Sequence, residues 1–253
     1  MFHKIIYETR EGIARITLNR PEKRNALDGE LVAELKDALR QSVEDAQCRV
    51  VLLGGAGTDF CSGADLAALE KSSRSSVLDN MTEARSTAEL FLEMRRHPRP
   101  VIAAVHGRAL AGGCGIATAC DIILAAESAQ FGYPEVNIGF VPAMVMAILR
   151  RSISEKAAFE LVVTGEMIPA ARAHQLGLVH RIFADASFRA DVEGYVSKLA
   201  AKPASGLMLS KRLLYSMDSM SFEAALESGV QINAIARMTE DCRKGVERFL
   251  KKP

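Results

Sequence analysis

The sequence predicts an α/β fold: a largely parallel sheet covered by helices, continued by a helical C-terminal part. Two observations carry this expectation. Largely apolar runs at residues 49–53, 101–105 and 121–125, opened in two cases by a charged residue, alternate with stretches of helical periodicity, as buried parallel strands with covering helices require. From about residue 187 the helical pattern continues with no strand between its segments.

The elements follow in order. Residues 4–8 and 13–18 alternate around Arg10-Glu11-Gly12 and predict a hairpin, which Asn19-Arg20-Pro21 ends. Asp28 is a fitting N-cap for a helix whose apolar face is Leu31, Val32, Leu35 and Leu39. The strand at 49–53 is released by Gly54-Gly55-Ala56-Gly57-Thr58. Residues 71–77, Ser-rich and charged, predict a mobile surface loop able to act as a lid before a helix at 79–95. Pro98 and Pro100 bracket the break into the strand at 101–105. The glycine segment 107–115 leads into a short helix of small residues at 112–120 and then the strand at 121–125. In the tail, Pro203 starts one helix and Phe222, Leu226 and Val230 line another.

Composition narrows the function. A chain of 253 residues can bury roughly 70 to 75% of its unfolded surface, so a full core is available. With 32 basic and 31 acidic residues neither sign dominates, and no basic stripe with stacking aromatics points to nucleic acid. No apolar run approaches the 18 or so residues of a membrane span, and the first residues lack a signal peptide's apolar region, so a cytoplasmic location is expected. The five cysteines are odd in number and widely spread, which predicts buried, reduced thiols. Neither His97 nor His106 has a second ligand at metal spacing, and no metal site is expected.

Three segments concentrate glycine, small residues and a carboxylate just past predicted strands, where α/β sheets place their sites. They are Phe60-Cys61-Ser62-Gly63-Ala64-Asp65-Leu66, Ala109-Leu110-Ala111-Gly112-Gly113-Cys114-Gly115-Ile116-Ala117, and Phe131-Gly132-Tyr133-Pro134-Glu135-Val136-Asn137-Ile138-Gly139. Each by itself is compatible with tight turns or close packing. The second is no dinucleotide fingerprint, since the third glycine is missing, and no phosphate loop, since no Lys-Ser or Lys-Thr follows.

In this order, and together with Asn19-Arg20-Pro21, Asn25-Ala26-Leu27, Thr164-Gly165, Ala173-x-x-Leu176-Gly177-Leu178-Val179 and Glu240-Asp241-x-x-Lys244-Gly245, the segments resemble the crotonase superfamily, the enoyl-CoA hydratase and isomerase family. The resemblance implies a crotonase-like spiral of β-β-α turns over residues 1–186 and a C-terminal helical subdomain over 187–253, assembled as a homotrimer or a dimer of trimers. It implies an acyl-CoA substrate and no cofactor beyond its coenzyme A moiety. Ala64 and Gly112 would donate the two backbone N–H groups of an oxyanion hole, which stabilise charge on the thioester oxygen. Lys23, Arg24 and Ala26 would line the CoA channel, Ser62, Asp65 and Leu66 would surround the adenine, and Lys244 would reach a CoA phosphate, in its own or an adjacent subunit.

Glu135, in an apolar setting that resists ionisation, is the candidate acid and base. The resemblance matches it to one of the two glutamates of the hydratases. The other would stand three residues after Gly112, where this chain has Gly115. The run from Phe131 to Pro142 resembles hydratases more than dedicated isomerases, so the expected activity is that of an enoyl-CoA hydratase working with one carboxylate. A one-base 3,2-enoyl-CoA isomerase and an inactive CoA-ester binding protein remain alternatives. Phe140, Met144 and Met146 are candidates for the acyl pocket or for core.

Overall fold

The computed structural model describes residues 2–251. In chain order the elements are β1 (Ile5–Arg10), β2 (Ile13–Leu18), α1 (Gly29–Glu44), β3 (Val50–Gly55), α2 (Leu66–Ser72), α3 (Val77–Arg96), β4 (Val101–Val105), β5 (Arg108–Leu110) and α4 (Gly112–Ala119). There follow β6 (Ile122–Ala126), β7 (Gln130–Gly132), α5 (Ala143–Ser152), α6 (Glu155–Thr164), β8 (Met167–Pro169), α7 (Ala170–Gln175) and β9 (Arg181–Phe183). The chain ends with α8 (Phe188–Ala200), α9 (Ala204–Ser216), α10 (Phe222–Met238) and α11 (Glu240–Leu250).

The predicted α/β class holds. β1 and β2 pair antiparallel, and β2, β3, β4, β6 and β9 then run parallel in the order β1-β2-β3-β4-β6-β9. Strands buried on both faces must be apolar throughout, and Val50, Val51, Val101, Ile102, Ala103, Leu124 and Ala125 are all buried. The Asp28 side chain caps α1 by accepting from Leu31 N at 2.9 Å. Leu31, Val32, Leu35 and Leu39 then turn inward together, as their spacing requires.

A second sheet, β5-β7-β8, was not legible beforehand. Its strands are three residues each, too short to show alternation. β5 and β7 run parallel, with Arg108, Ala109 and Leu110 opposite Gln130, Phe131 and Gly132. This small sheet sets the second and third glycine segments side by side.

One expectation needs correction. The stretch 71–77 is not one loop: Lys71 and Ser72 complete α2, and Val77 already opens α3, whose N-cap is Ser76. The serine hydroxyl that suggested a loop serves as a helix cap, accepting from Asp79 N at 3.2 Å. The first helix after residue 187, α8, packs on the large sheet. Phe188, Val192 and Val196 of α8 are buried against the large sheet, whereas α10 and α11 bury no residue.

α9 fastens the tail to the N-terminal edge of that sheet. Lys211 Nζ donates to Met94 O at 3.0 Å and Arg99 O at 3.1 Å and pairs with Asp121 at 2.7 Å. Asp121 also accepts from Val101 N at 2.6 Å and Tyr215 Oη at 2.6 Å, which binds the starts of β4 and β6 to α9. The glycine-bearing loops lie at the opposite edge, beyond the carboxyl ends of the strands.

Candidate active site

Four loops meet there, and a single buried side chain organises two of them. Asn25 is 0% exposed; its Oδ1 accepts from Arg20 N at 2.9 Å, and its Nδ2 donates to Ala56 O and Asp59 O, each at 2.8 Å. Arg24 and Asn25 hold left-handed backbone at φ 50° and 56°, so the chain reverses tightly after the Pro21–Lys23 turn. Arg20 then reaches Asp28 at 3.0 Å and Asp65 at 3.1 Å. The loop of residues 20–27 is thereby locked against the first glycine segment.

That locking fixes the direction of an amide. Leu27 N donates to Gly63 O at 2.7 Å, and Asp65 N donates to Leu27 O at 2.9 Å. Alternation along an extended chain turns the N–H of Ala64, between them, to the other side. The start of α4 stands against the neighbouring Gly63. A Cβ at Gly63 would be 2.6 Å from Ala111 Cβ and 3.4 Å from Gly112 N, so Gly63 must be glycine for the segments to meet.

Ala111 carries the cost of this approach. Its backbone sits at φ 50°, ψ −128°, where an L-residue is strained by on the order of 1–3 kcal/mol. It is held there by Ala111 N donating to Gly132 O and Gly115 N donating to Ala111 O, both at 2.9 Å. The strained peptide delivers Gly112 N–H as the first amide of α4, with no carbonyl one turn back in the helix to receive it. Neither Ala64 N–H nor Gly112 N–H has an acceptor among the described residues. Two unspent donors on neighbouring strands of loop are an anion-stabilising arrangement.

Glu135 lies in the short 3-10 helix Pro134–Ile138, directly after β7. Tyr133, fully buried, anchors its base: the phenol meets Thr118 Oγ1 at 2.8 Å, and Thr118 Oγ1 donates to Cys114 O at 2.8 Å on α4. Glu135 is only 8% exposed, and its Oε2 is buried with no hydrogen-bond partner. Burial raises its pKa above the ordinary 4.5, against a weaker pull from its own backbone N–H. A buried carboxyl with an unspent oxygen is suited to taking and returning a proton.

Position 115 is closed. A Cβ there would be 1.9 Å from Val145 Cγ1 and 3.4 Å from Phe91 Cζ, so this wall is apolar and filled. Sequence reasoning missed Val145 and Phe91, because no local pattern marks the contacts of α4 with α5 and α3, and it named Ala111 without its strained backbone.

The other candidates divide. Lys23 and Arg24 are exposed beside Ser62, whose N–H donates to Arg24 O at 3.0 Å; Ala26 is buried, and Leu66 is exposed at the start of α2. Asp65 is spent on structure. Burial opposes its ionisation, but Arg20 and the α2 amides outweigh this and hold its pKa below the ordinary value. Lys244 is not brought to the site within the chain. It pairs with Glu240 at 2.6 Å on α11, where Asp241 binds Ser205 at the far edge of the sheet. Of the acyl-pocket candidates, Met144 is half-buried while Phe140 and Met146 are exposed. The thiols of Cys61 and Cys114 are pushed up to about 12 and about 11 by burial, which leaves them unreactive.

Comparison with known proteins places the chain in a family. The family model for enoyl-CoA hydratase/isomerase matches residues 8–253. A Thermus thermophilus protein whose name carries the words enoyl-CoA hydratase is 38% identical over 240 residues, 95% of each chain. Two Escherichia coli proteins are similar at nearly equal distance: 2,3-dehydroadipyl-CoA hydratase, 31% identical over 98% of this chain and 96% of its own, and 1,2-epoxyphenylacetyl-CoA isomerase, 30% over 100% and 97%. Overall identity therefore does not separate water addition from isomerisation. The crystal structure of an enoyl-CoA hydratase from Mycobacterium smegmatis superposes with a TM-score of 0.93 at 33% identity, covering 98% of this chain and 96% of that one.

Proposed function

The chain belongs to the enoyl-CoA hydratase/isomerase family, and on that premise we propose that it is an enoyl-CoA hydratase-like enzyme acting on an acyl-CoA thioester. The observation that carries this reading is the pair of unspent amides, Ala64 N–H and Gly112 N–H, in the same loop cluster as the buried, unpartnered Glu135 carboxyl. In this reading the thioester oxygen lies between the two amides. Each such donor is worth about 3 to 4 kcal/mol of transition-state stabilisation in a site that excludes water. Glu135 handles the proton at the carbons beside the carbonyl. Lys23, Arg24, Ala26, Ser62 and Leu66 form the approach for coenzyme A, with Asp65 holding its geometry through Arg20. Lys244 enters only from a neighbouring copy, in the trimer or pair of trimers for which the exposed apolar residues of α10 and α11 provide contact surface.

A specific observation favours a second reading, one-base double-bond migration. The filled space in front of Gly115 has no room for a second carboxylate, and migration needs only Glu135. Incubation with crotonyl-CoA and a 3-enoyl-CoA in deuterated water, following 3-hydroxyacyl product against label gain, separates the two. Tight CoA-ester binding without either signal supports an inert binding protein instead.

A further inference from the structure

Gly115 and Val145 form a steric pair. Val145 is on α5 and Phe91 on α3, 4% and 6% exposed, and both press on α4 where residue 115 faces outward from its helix. A Cβ at 115 would stand 1.9 Å from Val145 Cγ1 and 3.2 Å from Val145 Cβ. Real carbon atoms do not approach to the first distance, whereas the second is closed by a small shift. The valine branch thus fills the volume that glycine vacates.

We propose that Val145 is a specificity-determining residue, which bars a second polar group from the α4 wall and leaves Glu135 alone to hold the attacking water. The inference rests on the reading of Glu135 and the two amides given above. In hydration the water oxygen bonds to the β-carbon, and its proton passes to the Glu135 carboxylate. The double-bond pair moves through the α-carbon to the thioester oxygen, held by the amides. The enolate pair then takes the proton from Glu135 at the α-carbon and the carbonyl re-forms. In the competing course Glu135 removes a proton from the γ-carbon and returns it at the α- or γ-carbon, with no water consumed. The balance between the two depends on how firmly water is held, and residue 145 decides whether position 115 can carry a second group to hold it.

The test uses the full chain with crotonyl-CoA in deuterated water, measuring 3-hydroxybutyryl-CoA and deuterium in the γ-methyl group of the unhydrated ester. The ratio of the two is read within one sample, so the folded fraction cancels. Val145→Ala alone adds no polar group and is expected to leave the ratio within twofold, whereas Gly115→Glu with Val145→Ala is expected to raise it at least tenfold. Gly115→Glu alone is expected to fold poorly. A double-variant ratio within twofold of the wild type's overturns the proposal, as does a Gly115→Glu single variant that folds and gives the double variant's ratio. Absence of both signals in the wild type removes the reading of Glu135 itself, a different failure that takes this inference with it.

Discussion

Gly63 stands against Ala111 so closely that a Cβ on the glycine would come within 2.6 Å of the alanine's own. The contact brings the loop that carries Ala64 against the start of α4, whose first amide belongs to Gly112. Substitutions around this junction have sharply different expected effects.

Gly113→Ala places a methyl 2.4 Å from Cys61 O and 2.6 Å from Cys61 Sγ, atoms that cannot yield because Cys61 is buried and hydrogen-bonded to Asn25 O at 3.0 Å. A loss of about 1–3 kcal/mol, the usual range for overpacking, is expected in denaturant titration. Gly112→Ala meets only the flexible Leu27 Cδ1 at 3.1 Å. It should fold with less than half that loss while lowering turnover, and equal destabilisation by the two would contradict the packing described.

Asn25→Ala strips three loop carbonyls and one amide of their shared partner in a fully buried position. Stability should fall by roughly 2–3 kcal/mol, the cost of buried groups left unpaired. Because the same residue holds the loop of 20–27 to the Ala64 segment, Km for a CoA ester is expected to rise in the protein that does fold. Calorimetric Tm and steady-state kinetics check the two effects separately.

Glu135→Gln should retain CoA-ester binding and lose at least a hundredfold in kcat, within the range for a general acid or base. The same substitution should raise Tm near pH 7. Burial lifts the carboxyl pKa above 4.5, so folding favours the protonated form; the wild type has its full stability below 4.5 and loses some as pH rises through the folded pKa. The neutral glutamine does not suffer that loss. Thermal melts of both proteins should converge below pH 4.5, and a gap that widened toward acid would show the sign to be wrong.

His97 gives the opposite dependence. It is 4% exposed, with Nε2 2.9 Å from Ser42 Oγ, and burial pushes its pKa from 6.5 down to about 4. The unfolded chain binds this proton first, so stability is lost as pH falls from 6.5 to about 4, by on the order of 3 kcal/mol. His97→Gln should flatten that part of the stability curve in urea titrations at pH 7, 5.5 and 4.

The sequence by itself determined the α/β class, the opening hairpin, the Asp28 cap, the helical end of the chain, and the three segments that hold Ala64, Gly112 and Glu135. These are local properties: periodicity, capping and turn chemistry depend on neighbours within a few residues. Tertiary structure alone decided the β5-β7-β8 sheet, the strained Ala111 peptide, the closure of position 115 by Val145, and the placement of Lys244 at the far edge of the large sheet. Each depends on which surfaces of distant elements meet, and close packing selects such contacts by volume and hydrogen-bond satisfaction across the whole core. A glycine in the sequence says that a side chain is absent, and only packing says what stands in its place.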